Sequence, residues 1–324
     1  MGLPGALPVI VALAGGVGGA KLAEGLALAL PPEQLTVVVN TADDFELYGL
    51  RICPDLDTVM YTLAGLADPV NGWGIAGDTA QVLAAIGRYG REPWFRLGDQ
   101  DFATHILRSE RLRGGATLTE ATAELSRALG VAAHLLPMSD NPVATLVDTP
   151  AGRLAFQDYF VARHQVDEVV GVVFDGIDQA RPGEGVLAAI GAAEVVVFCP
   201  SNPIVSLGPI LAVPGVREAL ATTTAPLVAV SPIVGGRALK GPADRMLASL
   251  GHEVSAAGIA AIYAGLIDGL VIDEADRGLG PEIEGLGMKV LVTSTVMGGG
   301  EDRRRLAGEV WEFGQRLAPV GSAA

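Results

Sequence analysis

The chain has 324 residues, 50% of them hydrophobic, and carries 37 acidic against 22 Lys and Arg side chains, a formal net charge of -15. Such length and apolar content are ample for a large core, whereas the charge repels nucleic acid and anionic membranes, so neither is an expected partner and a phosphate ligand must be caught locally. Two cysteines, Cys53 and Cys199, give no metal-ligand spacing and fit a reducing cytosol; without a basic-then-apolar leader or an uninterrupted apolar window of about 18 residues, the expected location is cytoplasmic.

The first apolar run, PVIVALA (8–14), feeds Gly15-Gly16-Val17-Gly18-Gly19-Ala20-Lys21, the order of a buried strand, a glycine turn and a helix start. A second run, LTVVVN (35–40), enters NTADDFELYGLRICPDLDT (40–58), which crowds Asp43, Asp44, Asp55 and Asp57 behind a strand end. Helical pattern then dominates, including DTAQVLAAIGRYG and TLTEATAELSRALG, where Thr117 or Thr119 can cap a helix. Between 143 and 175, VATLVDT, GRLAFQDYFV and VVGVVFD read as shorter strands of an antiparallel extension. EVVVFCP (194–200), PLVAVSP (226–232), GLVID (269–273) and KVLVTST (289–295) complete the strand series. Continuous apolar runs alternating with helical pattern predict an α/β fold, a Rossmann-like, doubly wound, mostly parallel sheet. The expected organisation is a single domain over 1–324 with a mainly helical insertion at about 75–135 and a short-strand extension at about 143–175. In such a sheet the C-terminal strand ends form one ligand-binding rim.

The glycine turn brings backbone N–H groups of Gly15, Gly16, Gly18 and Gly19 to a helix start, where phosphate binds well, although purely structural glycine turns are common. It is neither a full GxGxxG fingerprint nor a Walker A loop, since Lys21 is followed by Leu22. If the backbone at Gly18 approaches phosphate, Gly18→Val harms nucleotide binding; if the turn is structural, affinity is unchanged. Hard cations such as Mg²⁺ take carboxylate and phosphate oxygens, which makes Asp43, Asp44, Asp55 and Asp57 candidate ligands. In an extended segment Asp55 and Asp57 would share a side. Alternatively Asp43 and Asp44 cap a turn and Asp57 caps a helix at TVMYTLAGL, where Asn would serve nearly as well. Asp99 and Asp101 in RLGDQDFATH form another acidic turn near Arg96 and His105, a histidine whose place at a helix start reads first as structural. DEAD at 273–276 reads as a solvated strand end.

GGVGGAK, NTADDFELYGLRICPDLDTVMYTL, GWG at 72–74, LGDQDFATHILRS, LLPMSDNPV, FQDYFV, CPSNPIVSLGPIL and SPIVGGRALKGPADRM, in this order over almost the whole chain, resemble the 2-phospho-L-lactate transferases (CofD, or FbiA in actinobacteria). The resemblance implies an enzyme of coenzyme F-420 biosynthesis, in which the terminal ribityl hydroxyl of the deazaflavin Fo attacks the β-phosphorus of a guanosine diphosphate-linked three-carbon acid and expels GMP. Phospholactate, phosphoenolpyruvate and phosphoglycerate donors all remain open, as does the oligomeric state, with a homodimer the expectation. By position in the family pattern Asp57 and Arg96 match residues that bind Fo, which makes Asp57 the catalytic candidate as base, metal ligand or orienter. Ser201 and Asn202 look like guanine or phosphate contacts, Asn40 and Thr41 are candidates by placement, and Ser231 with Gly235 and Gly236 forms either a polar pocket or a structural turn. Such chemistry asks the protein to align the hydroxyl and neutralise charge, with Mg²⁺ the expected cofactor. The alternatives are a nucleotide-sugar-binding regulator of the related gluconeogenesis-factor group and a dehydrogenase, which would want one ribose-binding acid where this chain has a crowd.

Overall fold

Strand β1 (Ile10–Ala14) is buried at every position, because it is central in a parallel sheet with helices on both faces. The computed structural model describes residues 9–318; Pro8, first in the expected opening strand, lies outside them. Helix α1 (Gly16–Ala29) leads from β1 to β2 (Leu35–Val39), which is followed by a small hairpin, β3 (Phe45–Leu47) and β4 (Leu50–Ile52). Helices α2 (Pro54–Leu63), α3 (Gln81–Arg88), α4 (Asp99–Arg113) and α5 (Leu118–Ala128) come next, and β5 (His134–Pro137) returns the chain to the sheet. A separate antiparallel sheet holds β6 (Ala144–Thr149) between β7 (Gly152–Ala155) and β8 (Gly171–Asp175). The main sheet resumes with β9 (Val195–Phe198) and β10 (Leu227–Val230), makes a short hairpin of β11 (Ile233–Val234) and β12 (Arg237–Ala238), and ends with β13 (Gly269–Ile272) and β14 (Lys289–Val292).

The order across the main sheet is β14-β13-β10-β9-β1-β2-β5, with parallel pairing throughout. Alternate residues feed two cores: Val11, Leu13, Val196 and Phe198 enter one, and Ile10, Ala12, Val195 and Val197 the other. The chain winds outward from β1 through β2 to β5 and then crosses back to β9 on the far side of β1. The carboxyl ends of β1 and β9 thus flank a switch point, the crevice where open α/β sheets bind ligands.

The six expected parallel strands all form, each slightly shorter than its apolar run. A seventh, β5, was outside the expectation: four residues ending in a proline make a weak signal, and that proline is tolerated because β5 is an edge strand. GRLAFQDYFV is a strand only to Ala155; the chain then coils into a wide helical turn ending at Ala162. The segment around Asp55 is likewise helical rather than extended. Helix α2 starts at Pro54, a residue suited to the first helical position, so Asp57 lies within the helix and caps nothing. Thr117 is the residue that caps α5, in a reciprocal arrangement with Glu120. Reciprocity recurs at α3 and α4, where Asp99 accepts from the Gln81 and Val82 N–H groups while Asp78 accepts from those of Gln100 and Asp101.

Candidate active site

A cavity of about 660 Å³ opens at the switch point, with the glycine turn and the loop after β9 on one side and α2, α4 and the 156–161 turn on others. The turn is stitched to that loop by one hydroxyl: the Gly15 N–H donates to Ser201 Oγ at 3.2 Å, and Ser201 Oγ donates to the Gly15 carbonyl at 2.8 Å. Gly16 has φ +62°, which favours glycine, and a Cβ on Gly18 would stand 2.2 Å from the Pro200 carbonyl oxygen. Gly18 therefore has a packing reason to be glycine and no positive φ. Gly19 backs onto Ser201 and Ala14.

Asp55 packs against Gly15 and Gly16 at the start of α1 and takes a hydrogen bond from Asn40 Nδ2 at 3.0 Å. The anion at this helix start is thus the protein's own carboxylate. Asn40 supports it, with its side-chain oxygen accepting from the Ala42 N–H at 3.0 Å; Asn40 and Thr41 are buried and form no part of the cavity wall. Asp43 does line the wall, and its buried Oδ1 has no hydrogen-bond partner among the described residues. Burial, then the charge of Asp55, pushes the Asp43 carboxyl well above its ordinary range, and burial raises Asp55 to about 6. Asp44 points elsewhere, to Arg51 Nη2 at 3.4 Å, and burial still raises it to about 7.

Asp44 and Asp55 therefore hold protons more tightly folded than unfolded. Their favourable contribution is complete below about pH 4 and is lost as pH rises through about 6 to 7. The protein in EDTA is expected to melt at a lower temperature at pH 8 than at pH 5. A melting temperature that climbs over this interval would contradict the burial of these carboxylates.

Asp57 belongs to a second cluster between α2 and α4. Its Oδ2 accepts from Arg108 Nη1 at 3.0 Å, its Oδ1 pairs with Arg108 Nη2, and Oδ2 lies 3.5 Å from His105 Nδ1. His105 Nε2 is 3.2 Å from Asp101 Oδ1, without the alignment of a hydrogen bond, and Tyr61 donates to Asp101 at 2.7 Å. Burial opposes the charge of Asp101, but its contacts with His105 and Tyr61 outweigh this and hold its carboxyl below the usual range. Asp57, Asp101 and His105 converge closely enough to share a cation, yet the guanidinium already engages both oxygens of Asp57. The free carboxylate oxygen of Asp43 next to Asp55 is the better fit for Mg²⁺, which usually takes one or two carboxylates plus substrate oxygens.

At the mouth, the Arg96 guanidinium sits 5.9 Å from the Trp73 ring centroid. Lys240 donates to the carbonyls of Asn71 at 2.8 Å and Val70 at 3.4 Å, drawing the 66–77 segment over the glycine turn. Lys21 also lines the cavity; burial, then the charges of Arg303 and Lys240, lowers its affinity for a proton. Phe156 and Phe160, stacked at 5.4 Å, supply an apolar part of the wall, and Gln157 between them donates to the Asp43 carbonyl at 3.2 Å. Asn202 reaches the cavity too, while its Oδ1 accepts from the Ile204 N–H at 2.9 Å. Gly235 and Gly236 are the tight turn of the β11–β12 hairpin, both at positive φ, which is the structural reading, whereas Ser231, whose hydroxyl closes its own local turn, also lines the cavity. DEAD is structural as well but only partly solvated: Asp273 accepts from Thr295 and Asp276 from the Gly235 N–H.

Of the expected site residues, Gly15, Gly16, Gly18, Asp43, Asp55, Asp57, Arg96, Ser201 and Asn202 meet at this cavity, whereas Gly19, Asn40, Thr41 and Asp44 do not reach its wall. Tyr61, Trp73, Lys21 and Arg108 were missed as part of the site. Only helical spacing hinted at Arg108, which shares a face of α4 with Asp101 and His105 at steps of four and three residues.

A family model described as 2-phospho-L-lactate transferase CofD matches residues 10–281. A phosphoenolpyruvate transferase of Streptomyces griseus is 46% identical over 294 residues, covering 89% of this chain and 92% of the relative. A 2-phospho-L-lactate transferase of Methanosarcina acetivorans is 43% identical over 298 residues, covering 92% and 96%. Among solved structures, two of a UPF0052-family protein from Bacillus halodurans superpose with TM-scores of 0.61 and 0.63 at 16% and 17% identity, covering 95% and 94% of this chain and 100% of theirs, a likeness of fold.

Proposed function

The chain belongs to the 2-phospho-L-lactate transferase CofD family and is a transferase enzyme, and from that premise we propose that it moves a phospho-three-carbon-acid group from a guanosine diphosphate-linked donor to the ribityl hydroxyl of the deazaflavin Fo, releasing GMP, in coenzyme F-420 biosynthesis. The observation that carries this reading is the convergence of Asp43, Asp55 and Asp57 on one cavity at the sheet's switch point, a cavity also lined by Phe156 and Phe160. A diphosphate brought to the glycine turn meets the carboxylate of Asp55, an approach that like charges forbid without a cation between them. Asp43 and Asp55 would hold Mg²⁺, which when bound neutralises diphosphate oxygens and so favours departure of GMP.

The remaining work falls to side chains. Lys21 and Lys240 add positive charge on the side of the glycine turn, and Ser201 and Asn202 offer polar contacts to the nucleotide portion. Arg96 with Trp73 at the mouth, and Phe156 with Phe160 within, suit a flat aromatic acceptor. Asp57, with its charge held by Arg108, accepts a hydrogen bond from the attacking hydroxyl and aligns it with the phosphorus. The regulator reading gains no observation of its own, because the UPF0052 likeness extends to fold alone.

The test is incubation of the purified protein with Fo, Mg²⁺ and each guanylylated acid in turn, starting with the phosphoenolpyruvate donor for which the relatives at 46% identity are named. A phosphodiester mass with equimolar GMP is expected, abolished by EDTA and restored by Mg²⁺. Absence of GMP release with every donor would overturn the function, and full turnover after rigorous chelation would overturn the metal.

A further inference from the structure

Arg108 is 1% exposed and ranks among the largest fully buried side chains, although it carries a charge. Both of its terminal nitrogens engage Asp57, one oxygen each, in the fork geometry that fixes a carboxylate in orientation as well as in charge. Its other contacts are poor. Nη1 lies 3.5 Å from the Arg51 carbonyl and 3.4 Å from His105 Nδ1, and the buried Nε has no partner among the described residues. A guanidinium that served only to fasten α4 to α2 would be a costly choice, since well-packed apolar residues often replace buried ion pairs with no loss of stability. The two helices are moreover already joined by Tyr61 and Asp101. Asp57, Asp101 and His105 face the cavity, while Arg108 stands behind Asp57 and has no surface on the wall.

We propose that Arg108 is the positioning residue of the transfer site, acting on the acceptor hydroxyl only through Asp57. This rests on the reading of Asp57 as the acceptor-side residue. The fork from Arg108 occupies one in-plane direction at each Asp57 oxygen and leaves the remaining lone pairs as the acceptors available to a ligand. Asp57 is thereby set in one rotamer before the acceptor arrives, and the hydroxyl is aligned without reorganisation of the carboxylate. Arg108 does not touch the substrate, so the proposal separates it from the groups that do.

The experiment is a double-mutant cycle on the full-length enzyme, with Asp57→Asn, Arg108→Met and the pair combined, each read for kcat, acceptor KM and melting temperature. Met keeps most of the stem's bulk and removes the fork. Arg108→Met is expected to lower kcat about a hundredfold, the scale of a displaced catalytic group, with a much smaller change in KM. In the Asp57→Asn background the same substitution is expected to change kcat less than about twofold, because the group it positions is already gone. Arg108→Lys, which keeps the charge without the fork, is expected to recover less than about a tenth of wild-type kcat, and it takes the place of Arg108→Met in the cycle if that variant does not fold. Wild-type kcat in a folded Arg108→Met protein, or an equal loss of rate with and without Asp57, would overturn the positioning role alone. A wild-type enzyme inactive with every guanylylated donor would instead overturn the functional reading, and the positioning role with it.

Discussion

Asp57→Asn is expected to lose both transfer and stability. A capping aspartate would tolerate Asn, but Asp57 lies inside α2 and neutralises a fully buried guanidinium. Removing one partner of such a pair leaves an uncompensated buried charge and costs about 3–5 kcal/mol, partly offset here because the amide oxygen still accepts one hydrogen bond. For a chain of this size that corresponds to a fall in melting temperature on the order of 5–10 °C. Transfer should drop at least about a hundredfold beyond any loss of folded protein, the scale expected when an aligning or proton-accepting group is lost. GDP binding, which the proposed function assigns to the glycine-turn side of the cavity, should survive in the folded fraction. Calorimetry and single-turnover rates at a temperature where the variant is folded check both halves; an unchanged melting temperature would deny the burial of the pair, and wild-type turnover would deny Asp57 its role.

The second large effect is expected at Gly18, and a single methyl group is enough to produce it. The clash with the Pro200 carbonyl is made by Cβ itself at 2.2 Å, so Gly18→Ala already meets it and Gly18→Val adds bulk. Pro200 cannot easily retreat. It lies two residues beyond the end of β9, and the next residue is tied to Gly15 through its hydroxyl. Overpacking of this kind costs about 1–3 kcal/mol, more where backbone must move, and here the movement separates the glycine turn from the loop carrying Ser201 and Asn202. Gly18→Ala is therefore expected to lower the melting temperature by several degrees and weaken GDP binding in parallel, by about tenfold or more. A variant with the melting temperature of the wild type would show that the close approach is absent in solution. Loss of GDP affinity at full stability would restore direct phosphate contact as the reason for the glycine.

The residues of β1, β2, β9, β10 and β13 announce a buried parallel sheet by themselves, because strands covered on both faces are predominantly apolar, and that leaves a local signal; the edge strand β14 shows a weaker form of it. Strand-end loops are legible for the same reason, so the glycine turn, the acidic segment and CPSNP point to the rim before any folding is considered. The sequence does not partition the four aspartates. Asp43 and Asp55 face the cavity, Asp44 turns back to Arg51 in the neighbouring hairpin, and Asp57 meets an arginine 51 residues away, a pairing set by how α2 and α4 pack rather than by spacing along the chain. The recruitment of Asn40 as a support for Asp55 is of the same kind, since a side chain at a strand end can turn to ligand or to protein and only the neighbouring helix start decides. Strand β5 and the wide turn at Phe156–Ala162 were likewise fixed by what lies beside them, an edge position that accepts proline and an apolar wall that needs Phe156 and Phe160 stacked. Local pattern thus determined the sheet and its rim, while long-range burial of charge, which no short window records, determined which acids are free to meet a ligand.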